Sequence, residues 1–233
     1  MIAGNSVIAT DGAPPSFSAQ LKQRTQALHV QAECSGFVRD MLRGAVTIEA
    51  YALFLRNLLP AYHALEAGLE RLRLTPVFRR LALEAVYRAP ALEADLTEIA
   101  GVGWVDRLSV LPEAMDYADR ITFVAQGDGA RLLAHAYART LGDLNGGQVL
   151  KRMLARTLGL GAAALSFYDF PAIGELESFR LTYRAALNGA ADEIADIAPV
   201  IEEAAEAFRL NIALSEAVQR AAASNIILAS AAD

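Results

Sequence analysis

At 233 residues and a formal net charge of −6, the chain has the length of one domain and is too acidic overall for a general nucleic-acid footprint. A chain of this length buries roughly 70–75% of its unfolded surface and needs no disulfide or structural metal. Its single cysteine, Cys34, excludes an intramolecular disulfide and agrees with a reducing compartment.

Residues 1–16, with Gly12, Pro14 and Pro15, read as a flexible N-terminal arm without the basic start of a secretory signal. Helical spacing then recurs almost throughout. It predicts a helix from Phe17 to Glu33 and a short one from Ser35 to Arg43. Thr47 is placed as an N-cap, with Glu49 in the first turn where the helix dipole favours a carboxylate. The helix it opens runs to Arg73, with Tyr51, Phe54, Leu55, Leu58, Leu59, Tyr62, Leu65 and Leu69 at steps of three and four. Pro60 inside it predicts a kink. Pro76 is expected to open a further helix and Pro90 to end or bend it. Gly101 and Gly103 mark a turn, and Pro112 starts a helix ending near Gly127. One long helix is predicted from Gly129 to Leu158, then a loop from Gly159 to Pro171. Helices follow over Gly174–Leu187 and Pro199–Ala222, with 223–233 as a tail. The fold class is all-α: a single-domain multi-helix bundle over 17–222 with a kinked glycine-rich helix. No apolar run is long enough to span a bilayer, so a soluble, cytoplasmic protein is expected.

Two segments carry chemistry. On the first helix, Lys22, Gln26, His29 and Glu33 fall at i, i+4, i+7 and i+11 and share one face. A carboxylate one turn from an imidazole can orient it as a metal ligand, although the same spacing suits a solvated polar face. The second segment is Tyr137-Ala138-Arg139-Thr140-Leu141-Gly142-Asp143-Leu144-Asn145-Gly146-Gly147-Gln148-Val149-Leu150. Its glycines should cost a helix interior roughly 3 kcal/mol relative to alanine. Gly142 and Gly146, one turn apart, would bare the backbone to a large flat ligand; a tight helix crossing is the alternative. Asp143, in apolar surroundings, needs a water or a cation, and Arg139 stands four residues before it.

Together these segments resemble the heme oxygenase family. Leu28-His29-Val30-Gln31-Ala32-Glu33 looks like its proximal-histidine motif, and Leu141 to Leu150 like its distal-helix signature, with Asn145 where serine is common. The likeness runs from about Leu21 to Val218 and includes Ala134-His135-Ala136-Tyr137 and Phe208-Arg209-Leu210-Asn211-Ile212. It implies heme b as substrate and cofactor, O₂ as co-substrate, and His29 as the proximal iron ligand with Glu33 near its outer nitrogen. Gly142, Gly146 and Gly147 would line the distal face. Asp143 would hold a proton-delivering water network supported by Arg139, Tyr62 and Asn211. Lys22, Tyr137, Arg180 and Arg184 would meet the propionates. The last two, one turn apart, also suit two carboxylates on their own account, or a solvated face. Cleavage to biliverdin IXα, carbon monoxide and ferrous iron is expected. Gln26 replaces a basic residue sometimes found there, and the membrane-anchoring tail of some relatives is missing. Electrons would come from reduced ferredoxin or a flavin reductase, docking at the basic Lys151, Arg152 and Arg156; a solvated helix end is the plainer reading. His63 and His135 read as structural or exposed. A non-catalytic heme carrier or sensor, and a di-iron carboxylate oxygenase drawing on His29, Glu33, Glu49, His63 and Glu66, are the rival readings.

Overall fold

Ser16 starts the first helix, its hydroxyl accepting from the Ala19 N–H at 3.4 Å and satisfying one orphan amide of α1, Phe17–Cys34. The computed structural model describes the backbone of residues 14–230 and the side chains of 14–224, and within it every regular element is helical. Most of the predicted arm, residues 1–13, lies outside the described residues.

Two positions fix how α2, Gly36–Arg43, leaves α1. Ser35 is extended, and Gly36 has φ 58°, the left-handed region that a glycine enters without penalty. A Cβ on Gly36 would stand 2.8 Å from the Glu216 amide nitrogen, so two backbones meet there. Val38 N–H donates to Ser215 Oγ at 3.1 Å across the same contact.

The spine is α3, Ile48–Leu72, capped as expected by Thr47, whose Oγ1 accepts from Ala50 N–H at 3.2 Å. The helix continues through Pro60 and buries all eight of the apolar residues whose spacing predicted it. After it the prediction fails. No helix begins at Pro76: turns occupy 73–81, and Thr75 Oγ1 donates back to Leu72 O at 2.7 Å, closing the C-terminus of α3. Pro90 opens a helix and does not end one. It sits in the first turn of α4, Ala89–Ala100, where its missing N–H and fixed φ are harmless.

A short turn of helix, α5 (Trp104–Arg107), leads to α6 (Pro112–Val124), and α3 packs between α6 and α4. The long helix expected over 129–158 is three pieces: α7 (Leu132–Ala136), a π-helical turn (Tyr137–Leu141) and α8 (Gly142–Leu158). In the loop that follows, two 3₁₀ turns form at Ala162–Ala164 and Ser166–Tyr168. α9 spans Leu176–Ala191, and α10 spans Ala198–Ser230, past the expected end at residue 222. α10 crosses α1, α2, α3, α6 and α7 and closes the bundle. Among the described residues no helix is long and apolar enough to cross a membrane.

A buried ion network ties α10 to α6 and α7. Glu203 accepts from Arg120 Nε at 2.9 Å and lies 3.0 Å from His135 Nε2. His135 is therefore structural, while His63 is exposed beside Glu93 at 3.1 Å. Burial works against ionisation of Glu203, but His135 and Arg120 outweigh it and bring its carboxyl from 4.5 to about 2. Burial lowers the His135 imidazole. Both depressed values act in the same direction. The unfolded chain binds the extra proton first, so stability is present near neutrality and falls as pH drops below about 6.5 for His135 and from about 4.5 towards 2 for Glu203. In urea titrations across pH 7 to 3, Glu203→Gln should be less stable at pH 7 and should lose the steep acid limb of the parent.

Candidate active site

The chemistry gathers where the π-turn passes into α8. Tyr62 Oη–H, from α3, donates to Asp143 Oδ2 at 2.6 Å. Arg139 Nε–H donates to the same Tyr62 oxygen at 3.0 Å, and its Nη1–H donates to Asn211 Oδ1 of α10 at 2.7 Å. Arg139 Nη2 lies 3.5 Å from Asp143 Oδ1. Four residues from three separate stretches thus form one hydrogen-bonded chain, in which Arg139 donates both to Asn211 and to Tyr62 and Tyr62 donates to the buried carboxylate. Burial raises the Asp143 carboxyl above its ordinary value, while Arg139 and Tyr62 pull it down. The π-turn, a form often found at functional sites, carries Arg139 and delivers Gly142 and Asp143 to the next turn.

Asp143 shares a cavity of about 230 Å³ with His29, Glu33, Gly142 and Gly146. A Cβ at Gly142 or Gly146 would meet nothing within 4 Å, so both expose bare backbone. Gly147 differs: a Cβ there would stand 3.2 Å from the Tyr168 ring, so this glycine also makes room for a side chain. On the α1 wall His29 and Glu33 are half-exposed, with Nδ1 3.7 Å from Glu33 Oε1, and the Phe208 ring lies 5.9 Å from the imidazole. A wider hollow of about 880 Å³ beside Tyr87, Arg88 and Phe170 contains neither a histidine nor a glycine. Size therefore does not single out the site; the residues do.

The four residues expected at the propionates do not line this cavity. Lys22 is exposed on α1. Tyr137 Oη is 3.4 Å from Thr25 Oγ1; burial raises its hydroxyl, with Thr25 and then Arg184 opposing. Arg180 donates from Nε to Leu144 O of α8 at 3.1 Å and pairs with Glu177 at 2.9 Å. Among the basic residues after the distal segment, Lys151 is paired with Asp169, whereas Arg152 and Arg156 are exposed.

Asp95 was not singled out in the sequence. Its buried carboxylate accepts from Ser166 N–H at 2.8 Å, Ser166 Oγ–H at 2.6 Å and Phe167 N–H at 2.9 Å. That clamp holds the 3₁₀ turn whose Phe167 and Tyr168 wall the cavity. Its signal was available: Leu92, Asp95 and Leu96 fall on one apolar helix face.

A sequence profile of the family described as heme oxygenase matches residues 15–217. The chain belongs to the heme oxygenase family. It is 38% identical over 212 residues to heme oxygenase 1 of Homo sapiens, covering 90% of this chain and 74% of that protein. It is 32% identical over 197 residues to heme oxygenase 1 of the cyanobacterium Synechocystis, covering 84% and 82%. The crystal structure of Synechocystis heme oxygenase-1 in complex with heme superposes with a TM-score of 0.84 at 29% identity, over 94% of this chain and 100% of that one. The carrier and di-iron readings are not favoured. These relatives are named as oxygenases, and among the described residues no three His, Cys, Asp or Glu gather as a metal-holding set.

Proposed function

We propose that heme lies between α1 and α8 of this heme oxygenase, with His29 as its iron ligand and the backbone of Gly142 and Gly146 against the opposite face. As a member of its family the chain binds heme and degrades it, with dioxygen as co-substrate. The observation that carries the placement is the bare backbone at two positions one turn apart, flanking a buried carboxylate, on the cavity that His29 also lines. Side chains at 142 and 146 would fill the space a flat ring needs, so the residues fit the group. Bound heme supplies the iron at which dioxygen is activated beside the ring.

The protein's own residues do the rest. Glu33, its Oε1 3.7 Å from His29 Nδ1, favours the proton on that nitrogen by its charge, which leaves the Nε2 lone pair for the iron. Tyr62 occupies Asp143 Oδ2, so Oδ1 is the oxygen that holds a water and relays its proton. Arg139, anchored by Asn211, keeps that carboxylate in place. Lys22, Tyr137, Arg180 and Arg184 meet the propionates, with Arg180 exchanging Leu144 O for a carboxylate; fixing that edge selects biliverdin IXα. A ferredoxin or flavin reductase docks at Arg152 and Arg156, with Lys151 contributing less because of Asp169. The absence of a membrane-spanning helix among the described residues and the lone Cys34 fit a cytoplasmic enzyme of one helical domain.

The test is a visible spectrum of the protein with one equivalent of hemin, followed in air after addition of ascorbate or reduced ferredoxin. An imidazole-ligated Soret band should decay into bilin absorption. A stable Soret band would overturn the reading. A second expectation separates ligand fit from folding. Gly142→Ala and Gly146→Ala should each stabilise the heme-free protein by up to about 1 kcal/mol, because alanine is the better helix former and meets no neighbour. Both should weaken heme binding. Thermal melts and hemin titrations would read the two opposite signs.

A further inference from the structure

Arg88 is a buried cation that no step of the proposed chemistry uses. It stands where the chain enters α4, is 7% exposed, and gives its backbone N–H to Glu66 of α3. Its guanidinium reaches the loop after α8. Nη1–H donates to Phe167 O at 3.4 Å and to Asp169 O, and the central carbon lies 4.2 Å from the centre of the Phe170 ring. Arginine suits this place, because its planar head stacks on an aromatic ring while the N–H groups at its edge serve carbonyls. One side chain thus holds Phe167, Asp169 and Phe170. The other grips on this turn are different: Asp95 takes the amides of Ser166 and Phe167, and Gln148 gives Nε2–H to Tyr168 O at 2.7 Å.

What Arg88 holds bears on the buried carboxylate. Phe167 lines the cavity, and its ring meets the Tyr62 ring edge-on at 5.5 Å, an orientation that aromatic pairs favour. Tyr62 in turn donates to Asp143 Oδ2 at 2.6 Å. A hydroxyl on a rigid ring keeps its aim only while the ring is held from the side, and Phe167 is such a side. The charge of Arg88 acts in the same sense. Burial lowers its guanidinium, and Asp143 is the first of the charges that oppose this; Arg88 is also one of the groups that pull the Asp143 carboxyl down. We propose that Arg88 is a positioning residue: by holding the Phe167 and Asp169 carbonyls and the Phe170 ring, it seats Phe167 against Tyr62 and keeps the Tyr62 hydroxyl on Asp143. Its bearing on turnover rests on the heme reading; the seating of Tyr62 does not.

The test compares Arg88→Met, which removes the donors and the charge, with Arg88→Lys, which keeps the charge. In the heme-free protein, amide exchange over 167–170 should quicken in Arg88→Met by roughly 10- to 100-fold, the range a hydrogen bond to a charged group is worth. A crystal structure of that variant should show the Tyr62 hydroxyl displaced from Asp143 Oδ2. Arg88 does not line the cavity, so hemin affinity should stay near that of the parent, while single-turnover bilin yield should fall by up to about 100-fold, as misplacement of reacting groups does. The groups that act on Asp143 are Tyr62 of α3, Arg139 of the π-turn and Arg88, and its charge also reaches Tyr117 of α6 and Tyr168. Without Arg88 the carboxyl ionises at higher pH, so the acid limb of turnover should move up in Arg88→Met. Arg88→Lys should keep that limb and recover part of the yield. An intact Tyr62–Asp143 bond in Arg88→Met, or quickened exchange with unchanged bilin yield and pH profile, would make Arg88 a packing residue and overturn the proposal. A parent that binds hemin without degrading it would overturn the heme reading alone, because the exchange and crystallographic readouts need no heme.

Discussion

Asp143→Ala is expected to retain heme and to lose bilin formation by roughly 10²–10⁴-fold, the range a positioned proton-transfer group contributes. The retained binding follows from position: Asp143 lines the cavity from α8, whereas His29, the proposed iron ligand, lines it from α1, and the bare backbone of Gly142 and Gly146 is untouched. The lost turnover follows from Oδ1, the one carboxylate oxygen that Tyr62 leaves free. Alanine has a second consequence. It strands Arg139 as a buried cation whose remaining partners are Tyr62 and Asn211, and breaking a buried pair costs up to about 3–5 kcal/mol. Asp143→Asn separates the two effects. Its amide oxygen still accepts from Tyr62, so the fold and Arg139 should hold, while the ionisable oxygen is gone. Single-turnover bilin yield should fall in both variants, and urea stability should fall mainly in Ala. Full bilin output from Asp143→Asn would remove Asp143 from the proton path.

The spacing of α3 was legible because a buried helix repeats its apolar residues at three and four, and all eight predicted positions are in the core. Of the Tyr62–Arg139–Asp143–Asn211 group, spacing alone pairs Arg139 with Asp143, whereas Tyr62 and Asn211 were legible only through family resemblance. Its members come from α3, the π-turn, α8 and α10, and no local pattern announces a contact between Tyr62 and Asp143, 81 residues apart. The π-turn was invisible for a different reason: helical periodicity over 129–158 does not reveal one extra residue in a turn. Pro90 misled because a proline is equally compatible with the end of one helix and the first turn of the next; what decides is the pair of amides at Arg88 and Ala89, both taken up by Glu66. Arg180 and Arg184 illustrate a limit of spacing. One turn apart, they still have different surroundings, Arg180 being held by Leu144 O and Glu177 while Arg184 lies near Tyr137.

His29→Ala should abolish the imidazole-ligated Soret band and with it heme degradation. Loss of an outer partner of a metal ligand alone costs roughly 10–100-fold in affinity or activity, so removal of the ligand should exceed that, and Glu33→Gln should fall within it. The fold should be unaffected. His29 is half-exposed and its contacts are the Glu33 carboxylate and the Phe208 ring, neither of which the core requires. That exposure makes a chemical rescue feasible: imidazole added to His29→Ala should enter the space left on α1 and restore the ligated spectrum, with partial return of turnover. The rescue distinguishes ligation from packing, since a residue that merely supported the cavity wall would not be replaced by a diffusing ring. Rescue of the spectrum without turnover would still assign His29 to the iron, and would show that Glu33 must also orient the imidazole for the reaction to proceed. An unchanged Soret band in His29→Ala would place the ligand elsewhere. The only other histidines are His63, exposed beside Glu93, and His135, sealed against Glu203, and neither lines the cavity that contains Asp143.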